Sequence, residues 1–571
     1  MHEVLPSLTN NGSFTVPASS IHIIDTPEEF YNCLLELAKN VRNRITLSTL
    51  YIGDGPLEQA FVEQLRKSIN DNSDLSLEIL IDYFRGTRGG EKSSVALLKR
   101  LLPRASVCLF HTPTLRGFLK RILPERSNEI IGLQHMKLYI FDDSVVISGA
   151  NLSETYFTNR QDRYIRIDNC KELADFLDKL VKIVQSFSFR LKPDGSLVLH
   201  EKCEVHPSDG SAVEYWEIAH SRLFNHIKSL PVNENTFGPD TTRIFPLIQM
   251  GIFGIDQEHK FLTDLFGSKN TTLKITVASG YLNFVDEYIS LISKVGTFSM
   301  DVIFASPQAN GFHEGSGLSR YIPAMYVNLS KHFFNTVRSN VRLFEYSRPL
   351  WSFHGKGLWI SSTSSDIAAT LVGSSNYGFR SLKRDLELQL LIVTNNEKLK
   401  TQLNKVDFRG IPVYRFQNIV IGSIIARLKL LQTIIAAAVV PYYFWKYGLG
   451  EVQLERCLLI SGLAIFAIGM LVAATRYFNR LIGVISMNQT NEVIRVGYLS
   501  FWGSRRNQII PVKDVVPISD SDSNPNDVIV KFCRYSTPKF LYLSRIKSEI
   551  VDKERAELLF GDLTIFKNKA C

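Results

Sequence analysis

Along the first 400 or so positions the apolar residues switch repeatedly between helical and strand spacing. Over 28–41 and 56–69 they recur every three or four residues, which predicts amphipathic helices. Arg44–Tyr51 and Leu75–Tyr83 are short, mostly apolar runs that predict buried strands. Helices and strands alternating in this way predict an α/β sandwich. Around Lys192–Pro207 the chain turns polar, with Gly195, His200, His206 and Pro207, and helical spacing resumes over 211–229. A boundary near 205 therefore separates two parts, 1–205 and 206–410.

From about 411 the pattern changes. Leu430–Trp445 carries no charge for 16 residues and Cys457–Thr475 none for 19, close to the ~20 apolar residues that cross a ~30 Å hydrocarbon core. They predict a transmembrane hairpin at about 430–445 and 457–475. Gln432, Pro441 and the shortness of the first run also fit a buried helix of a soluble domain. Arg427 and Lys429 precede the first run and Arg476 and Arg480 follow the second, so the positive-inside tendency places both ends on one side. Beyond it, Glu492–Tyr498, Val528–Phe532 and Phe540–Leu543 alternate as strands before a helix over 547–560, a small β-rich cap completing a region 411–571.

The chemistry lies in a repeat. His135 and Lys137 recur as His354 and Lys356, 219 residues later. On a strand, residues two apart share a face, so each copy sets an imidazole beside a fixed positive charge, and two facing copies make a phosphate site. The flanks repeat as well, which marks an internal duplication. Ser148-Gly149-Ala150-Asn151 then Asp162 follow the first copy; Gly373-Ser374-Ser375-Asn376 then Asp385 and Glu387 follow the second; Ser48–Tyr51 finds an echo in Ala278–Tyr281.

Composition narrows the partners only partly. The 571 residues are 45% hydrophobic and 21% charged, ordinary for a chain of several globular domains, and the net charge of +9 suits nucleic acid and anionic lipid alike. Seven cysteines without a Cys-x-x-Cys pair suggest neither a disulfide framework nor a zinc site, and a reducing compartment is the simplest reading. The first 25 residues hold no Lys or Arg, unlike a secretory signal or an Arg-rich presequence. Gly86–Ser93 imitates a phosphate loop, but Glu91 puts a carboxylate where the phosphate would sit. Tyr51 and Tyr281 line a substrate mouth or pack the core, and His111, with Arg116 and Arg121 nearby, His206 and His313 receive no role.

His135, Lys137, Asp142, Gly149 and Asn151 resemble, with one residue of slack at the glycine, the signature of the phospholipase D superfamily, His-x-Lys-x4-Asp followed by Gly-x-x-Asn. The second copy matches at His354, Lys356, Gly373 and Asn376 but has Ser361 in place of the Asp. The strings at 49–59, 109–117 and 148–164 resemble the eukaryotic mitochondrial phosphatidylglycerophosphate synthases, whose second copy also lacks that Asp; the likeness covers roughly 20–400. It implies two phospholipase D-like α/β/α halves forming one catalytic unit that uses CDP-diacylglycerol and glycerol 3-phosphate at an anionic membrane surface, without nucleic acid. The implied roles are His135 as nucleophile and His354 as acid and base. Lys137, Lys356, Asn151 and Asn376 would bind phosphate oxygens, and Asp162 and Glu387 would orient the histidines across the halves. Asp142 completes the signature set, although Ser361 in the other copy argues for a hairpin residue. No metal or cofactor is required by such a mechanism.

The strings at 427–433, 499–503 and 515–520 resemble transmembrane protein 186, a two-span mitochondrial inner-membrane family associated with respiratory complex I assembly. That implies an inner-membrane location with the catalytic part facing the matrix, and assembly partners for the C-terminal region. The chain is then a fusion, or two neighbouring genes read as one. Two other functions remain open at this point: a hydrolytic phospholipase D or nuclease, in which water resolves the intermediate, and a non-enzymatic membrane assembly factor.

Overall fold

The computed structural model describes residues 12–116, 131–231, 241–313, 320–403 apart from 338, 339 and 349, and 411–566 apart from 417, 479, 488–490, 492, 501–504, 522–526, 564 and 565. Two compact units divide the chain, 1–405 and 406–571. In the first, the amphipathic patterns form the helices Pro27–Asn40 and Pro56–Asp71. The former starts at Thr26, whose hydroxyl accepts from Glu29 N while the Glu29 carboxylate accepts from Thr26 N, a capping box that satisfies both otherwise unpaired donors. Phe30, Leu34 and Ala38 then turn one face into the core.

The duplication is explicit in the sheets. One runs in the order Ala105–Phe110, Ser76–Asp82, Arg44–Ser48, Leu138–Phe141, Ser144–Ser148, Tyr164–Ile167, Ile21–Ile24. The other runs Val341–Tyr346, Ser299–Ala305, Leu273–Ser279, Lys356–Ser362, Ser365–Gly373, Glu387–Thr394, Thr241–Met250, position for position the same. In each, three parallel strands adjoin an antiparallel hairpin. The hairpin brings the His-x-Lys segment beside the strand that precedes Tyr51 or Tyr281. The strand expected over 44–51 stops at Ser48, so that Tyr51 sits in the following loop.

One strand crosses the expected division at 205. Phe14–Pro17 pairs with Thr241–Met250, and so the N-terminal segment extends the second sheet. The helices Lys171–Gln185 and Ala212–Lys228 lie between the sheets: Leu177, Leu180, Tyr215 and Leu223 share one core with Leu138 and Ile147 of the first sheet and Ile248 and Leu388 of the second. The outer faces are covered separately, Leu47 and Ile79 by Phe61 and Leu65, and Ile275 and Val302 by Phe261 and Leu265. The halves are thus not two closed sandwiches. They share their inner helical layer, which fixes one sheet against the other.

In the second unit, Ile411–Phe416, Ile482–Met487, Val493–Leu499, Arg505–Pro511 and Ser548–Ile550 form a five-stranded sheet. Residue 548 begins a strand where a helix was expected, and the helix is Lys553–Phe560. Between the adjacent strands Ile411–Phe416 and Ile482–Met487 the chain runs out and back through the helices Ile419–Gly448 and Leu454–Phe478, both longer than their uncharged stretches. Among the described residues no helix is long and apolar enough to cross a membrane.

Asp142, included with the catalytic set on the strength of the signature, lies at the turn after Leu138–Phe141, away from the histidines. Its carboxylate accepts from the backbone N–H of Arg42, Asn43 and Arg44 at 2.9, 2.7 and 3.1 Å, pinning the start of the neighbouring strand. Removing an acceptor that serves three donors costs about 1–3 kcal/mol. Asp142→Ala is therefore expected to lower the denaturation midpoint, and Asp142→Asn, which keeps one acceptor oxygen, to lower it less.

Candidate active site

The two His-x-Lys segments sit at the very beginning of their strands. The first strand begins after Lys137 and the second at Lys356. The reason is that each histidine gives its backbone bond to the other half: His135 N donates to Leu386 O at 3.0 Å, and His354 N to Gln161 O at 2.8 Å. Leu386 and Gln161 immediately precede Glu387 and Asp162, so the same register delivers a carboxylate to each imidazole. His135 Nδ1 lies 3.0 Å from both Glu387 oxygens, and His354 Nδ1 lies 2.7 Å from Asp162 Oδ2. Asp162 and Glu387 also stand at the same remove, eleven residues, from Asn151 and Asn376.

Around these pairs the remaining signature residues close in. Lys137 Nζ donates to His135 O at 2.7 Å, and Lys356 Nζ lies 2.7 and 3.1 Å from the two ring nitrogens of His354. Both lysines are fully buried. Gly149 permits the closeness, since a Cβ there would stand 2.6 Å from Asp162 Oδ1 and 3.1 Å from Lys356 Cδ. Asn151 Nδ2 donates to Tyr156 OH at 3.2 Å, and the same hydroxyl lies 3.2 Å from His354 Nε2. The Oδ1 atoms of Asn151 and Asn376 are buried without a partner among the described residues. Among those residues nothing bonds His135 Nε2, so the two imidazoles differ: one ring nitrogen is engaged by Tyr156, the other is open.

Burial sets the charge states. It lowers His135 and holds His354 well below its ordinary value, Lys356, Arg160, Lys137 and His135 adding to the effect on His354. Burial alone would raise Glu387, but His135 beside it, Lys137 and the Ser374 hydroxyl outweigh that and hold it down to about 2. Asp162 is raised to about 6, burial outweighing Lys356 and the Arg163 N–H. Lys356 is lowered by burial to about 8, against the pull of Asp162 and Glu387. The two histidine–carboxylate pairs are thus unlike: Glu387 is held towards its ionised form beside an imidazole whose Nε2 is open, while Asp162 is pushed towards its protonated form beside an imidazole whose Nε2 is engaged.

Three residues escape sequence reasoning. Tyr156 and Arg160 gather at His354: the Tyr156 ring packs edge-on at 5.0 Å, and the Arg160 guanidinium lies 4.7 Å over Tyr156 while Nε donates to Ser352 Oγ at 3.0 Å. Counting from Asn376 and Glu387, their counterparts are Ser381 and Asp385, so comparing the copies hides them. Glu258, buried and pushed up to about 8 by desolvation, accepts from Ser375 Oγ at 2.6 Å, next to the Ser374 that holds Glu387. No local pattern marks a lone Glu in an amphipathic helix. Tyr281 packs 5.7 Å from His354, and Tyr51 bonds Ser153 under the Arg85 guanidinium.

The other motifs do not join the site. His111 is buried among Tyr83, Phe84 and Phe189, Arg116 reaches Ser208 O and Gly210 O, and Arg121 lies outside the described residues. His206 accepts from two N–H groups of its own turn, and His313 N donates to Asn310 O. Tyr83–Thr87 and Gly90–Lys92 are short helical turns.

No family model matches the chain. The chain is 39% identical over 436 residues to the mitochondrial CDP-diacylglycerol–glycerol-3-phosphate 3-phosphatidyltransferase of Gallus gallus, covering 69% of this chain and 78% of the relative. It is 38% identical to the Homo sapiens enzyme of the same name over 432 residues, 69% and 77% of the two chains. Among solved structures, phosphatidylserine synthase of Haemophilus influenzae Rd KW20 superposes with a TM-score of 0.53 at 21% identity, over 71% of this chain and 89% of that one, a likeness of fold. The identity over more than two thirds of those enzymes, on a fold whose duplicated His-x-Lys strands are set out above, establishes that the chain belongs to the CDP-diacylglycerol–glycerol-3-phosphate 3-phosphatidyltransferase family.

Proposed function

We propose that the chain transfers the phosphatidyl group of CDP-diacylglycerol to glycerol 3-phosphate, releasing CMP, through a phosphatidyl-histidine intermediate. The observation that carries this is the asymmetric pair of crosswise histidine–carboxylate bonds. His135, its Nδ1–H held by ionised Glu387, attacks the phosphorus with its open Nε2, and the bond from phosphorus to the CMP oxygen breaks. His354, oriented by Asp162, gives that oxygen a proton from Nε2. The bound diphosphate adds negative charge, which raises His354 towards its protonated form. A hydroxyl of glycerol 3-phosphate then loses its proton to His354, attacks phosphorus, and frees His135.

Lys137, Lys356 and Arg160, with the Asn151 and Asn376 amides, stabilise the non-bridging oxygens as charge builds, from positions already fixed by packing. These groups supply the positive charge themselves, and the scheme routes no step through a divalent ion. Asp142 takes no part. Hydrolysis by water, as in a phospholipase D or nuclease, would use the same intermediate, but the kinship with transferases favours the alcohol acceptor.

The C-terminal unit we assign to the membrane. The helices Ile419–Gly448 and Leu454–Phe478 leave Ile434, Ile435, Trp445, Leu459, Leu463, Ile465 and Phe466 exposed. Large apolar groups facing outward, on the side of each helix away from its packed partner, are at home in hydrocarbon. No described helix is by itself long and apolar enough to span; the resemblance to transmembrane protein 186, with these exposed apolar faces, is what supports a two-span hairpin in the mitochondrial inner membrane, the catalytic unit facing the matrix and the tail meeting complex I assembly partners. One continuous transcript across residues 395–430 is expected for a fusion.

Incubation with CDP-diacylglycerol and labelled glycerol 3-phosphate is expected to give labelled phosphatidylglycerophosphate and CMP; phosphatidic acid as the sole lipid product would sink the transfer reading. His135→Ala and His354→Ala should each lower kcat by at least ~10²–10⁴-fold, and the double variant little further, because the two act as one unit. Since the attacking form of His135 is neutral and burial lowers its pKa, kcat/KM should persist as pH falls below the ordinary imidazole value of 6.5. Glu387→Gln, which loses the charge that fixes the tautomer, should cut kcat by on the order of 10²-fold or more. An alkaline carbonate wash of membranes should leave the full chain in the pellet; its release would refute the hairpin.

A further inference from the structure

An apolar flank that the transfer chemistry does not use is linked to the His354 side of the site by ring contacts. The helix Ile322–Thr336 buries Pro323, Ser330 and Phe333 but leaves Met325 and Leu329 exposed, in line with Tyr321 just before it. Residues four apart stack on one flank of a helix, so these three make a continuous stripe. Beside the stripe, the Tyr326 ring meets Tyr281 at 5.3 Å, and Tyr281 meets His354 at 5.7 Å. Two ring contacts therefore lead from an exposed apolar flank to a catalytic imidazole.

A second element converges there from the chain leading into His354. Leu350 is 93% exposed and has a φ of +63°, a left-handed conformation unfavourable for leucine. The loop is nevertheless held: Asn159 Nδ2 donates to Leu350 O at 2.9 Å, and the Arg348 guanidinium stacks 3.6 Å over the Trp351 ring. Ser352 and Phe353 then pair with Arg160 and Gln161, next to Asp162. A leucine presented outward on a secured, strained turn calls for an apolar surrounding.

Single exposed apolar residues are ordinary, but both of these sets are tied by a few contacts to His354, one through Tyr326 and Tyr281 and the other through Asn159 and Arg160, and Arg320, Lys331 and Arg348 are exposed on the same segments. Apolar and aromatic side chains interspersed with cations match a bilayer interface, where the former enter hydrocarbon and the latter meet phosphate headgroups. A lipid substrate whose phosphorus must reach His135 while its acyl chains avoid water gives that match a purpose. We propose that Tyr321, Met325, Leu329 and Leu350 form a docking rim that seats the catalytic unit on the hydrocarbon edge of a bilayer, so that CDP-diacylglycerol enters with its acyl chains still in the membrane. This rests on the phosphatidyltransferase reading and adds to it the surface through which the substrate arrives.

The test compares one full-length variant, Met325→Ser with Leu329→Ser and Leu350→Ser, with the unaltered protein, both reconstituted in phosphatidylcholine vesicles containing phosphatidylglycerol. Two substrates are used: CDP-dioleoylglycerol in the vesicles and water-soluble CDP-dihexanoylglycerol. The variant should show a KM for the vesicle-borne substrate raised about tenfold or more, with kcat/KM for the soluble substrate unchanged. That second value also reports that the variant is folded. Met325→Leu with Leu329→Met and Leu350→Met, apolar but of different shape and free of β-branching at the left-handed position 350, should keep the vesicle rate. Equal losses on both substrates, as from a structural face or a surface for a protein partner, would overturn the rim, and so would an unaltered vesicle rate. If the unaltered protein transfers nothing from either substrate to glycerol 3-phosphate, the phosphatidyltransferase reading falls and the rim with it; transfer from vesicles alone, lost in the serine variant and kept in the apolar one, would support the rim.

Discussion

Everything in the catalytic unit depends on an exchange of carboxylates between its halves. Each imidazole is oriented by an acid that the opposite half supplies, and the acid is delivered by a backbone bond to the residue before it: His135 N to Leu386 O, His354 N to Gln161 O. Such a site cannot be assembled from one half. Burying two histidines, two lysines and two acids together would be prohibitive if any lacked a partner, which makes the crosswise pairing a condition of folding as much as of chemistry. The shared inner helices, Lys171–Gln185 and Ala212–Lys228, hold the sheets rigidly enough for bonds of this kind to form across them.

Duplication supplies symmetry, and the side chains around it remove the symmetry where the reaction needs difference. Glu387, gripped by Ser374, is pushed towards its ionised form beside His135, while burial raises Asp162 to about 6. Tyr156 and Arg160 attend His354; the equivalent positions near His135 are Ser381 and Asp385, with Asp385 paired to Arg380 and accepting from Leu133 N. A reaction that attacks on one side of a phosphorus and expels on the other requires two unlike groups. In the proposed scheme, the divergence of these few positions makes them.

What could be read from the chain alone follows the range of the forces involved. The helices at Pro27–Asn40, Pro56–Asp71 and Ala212–Lys228 are written in local apolar spacing, and their ends agree with the pattern to within a residue or two. The start of the His-x-Lys strands is not, because His135 and His354 give their backbone bonds to residues about 250 and 190 positions away, which no local pattern records. Phe14–Pro17 is lost for the same reason, since an N-terminal strand that joins the sheet of the other half looks like any short extended segment. In the site, residues present in both copies could be found by comparing them. Tyr156 and Arg160, which owe their importance to being unlike their counterparts, could not.

One mismatch within the signature, Ser361 for an acid, has a structural account. In the first half the Asp142 carboxylate secures the backbone where Arg44–Ser48 begins. In the second half the segment before Leu273–Ser279 secures itself: Asn270 Oδ1 accepts from Thr272 N at 2.9 Å and from its hydroxyl at 2.7 Å, and that hydroxyl lies 2.8 Å from Ser362 Oγ. An Asn that folds back on the residue two ahead makes a local turn and does the work of a remote acid. Asn270 thus frees the second hairpin from needing an Asp, whereas nothing local frees either histidine from needing Asp162 or Glu387. The acid of the signature holds the scaffold of one half, and the acids outside the His-x-Lys segments hold the imidazoles of both.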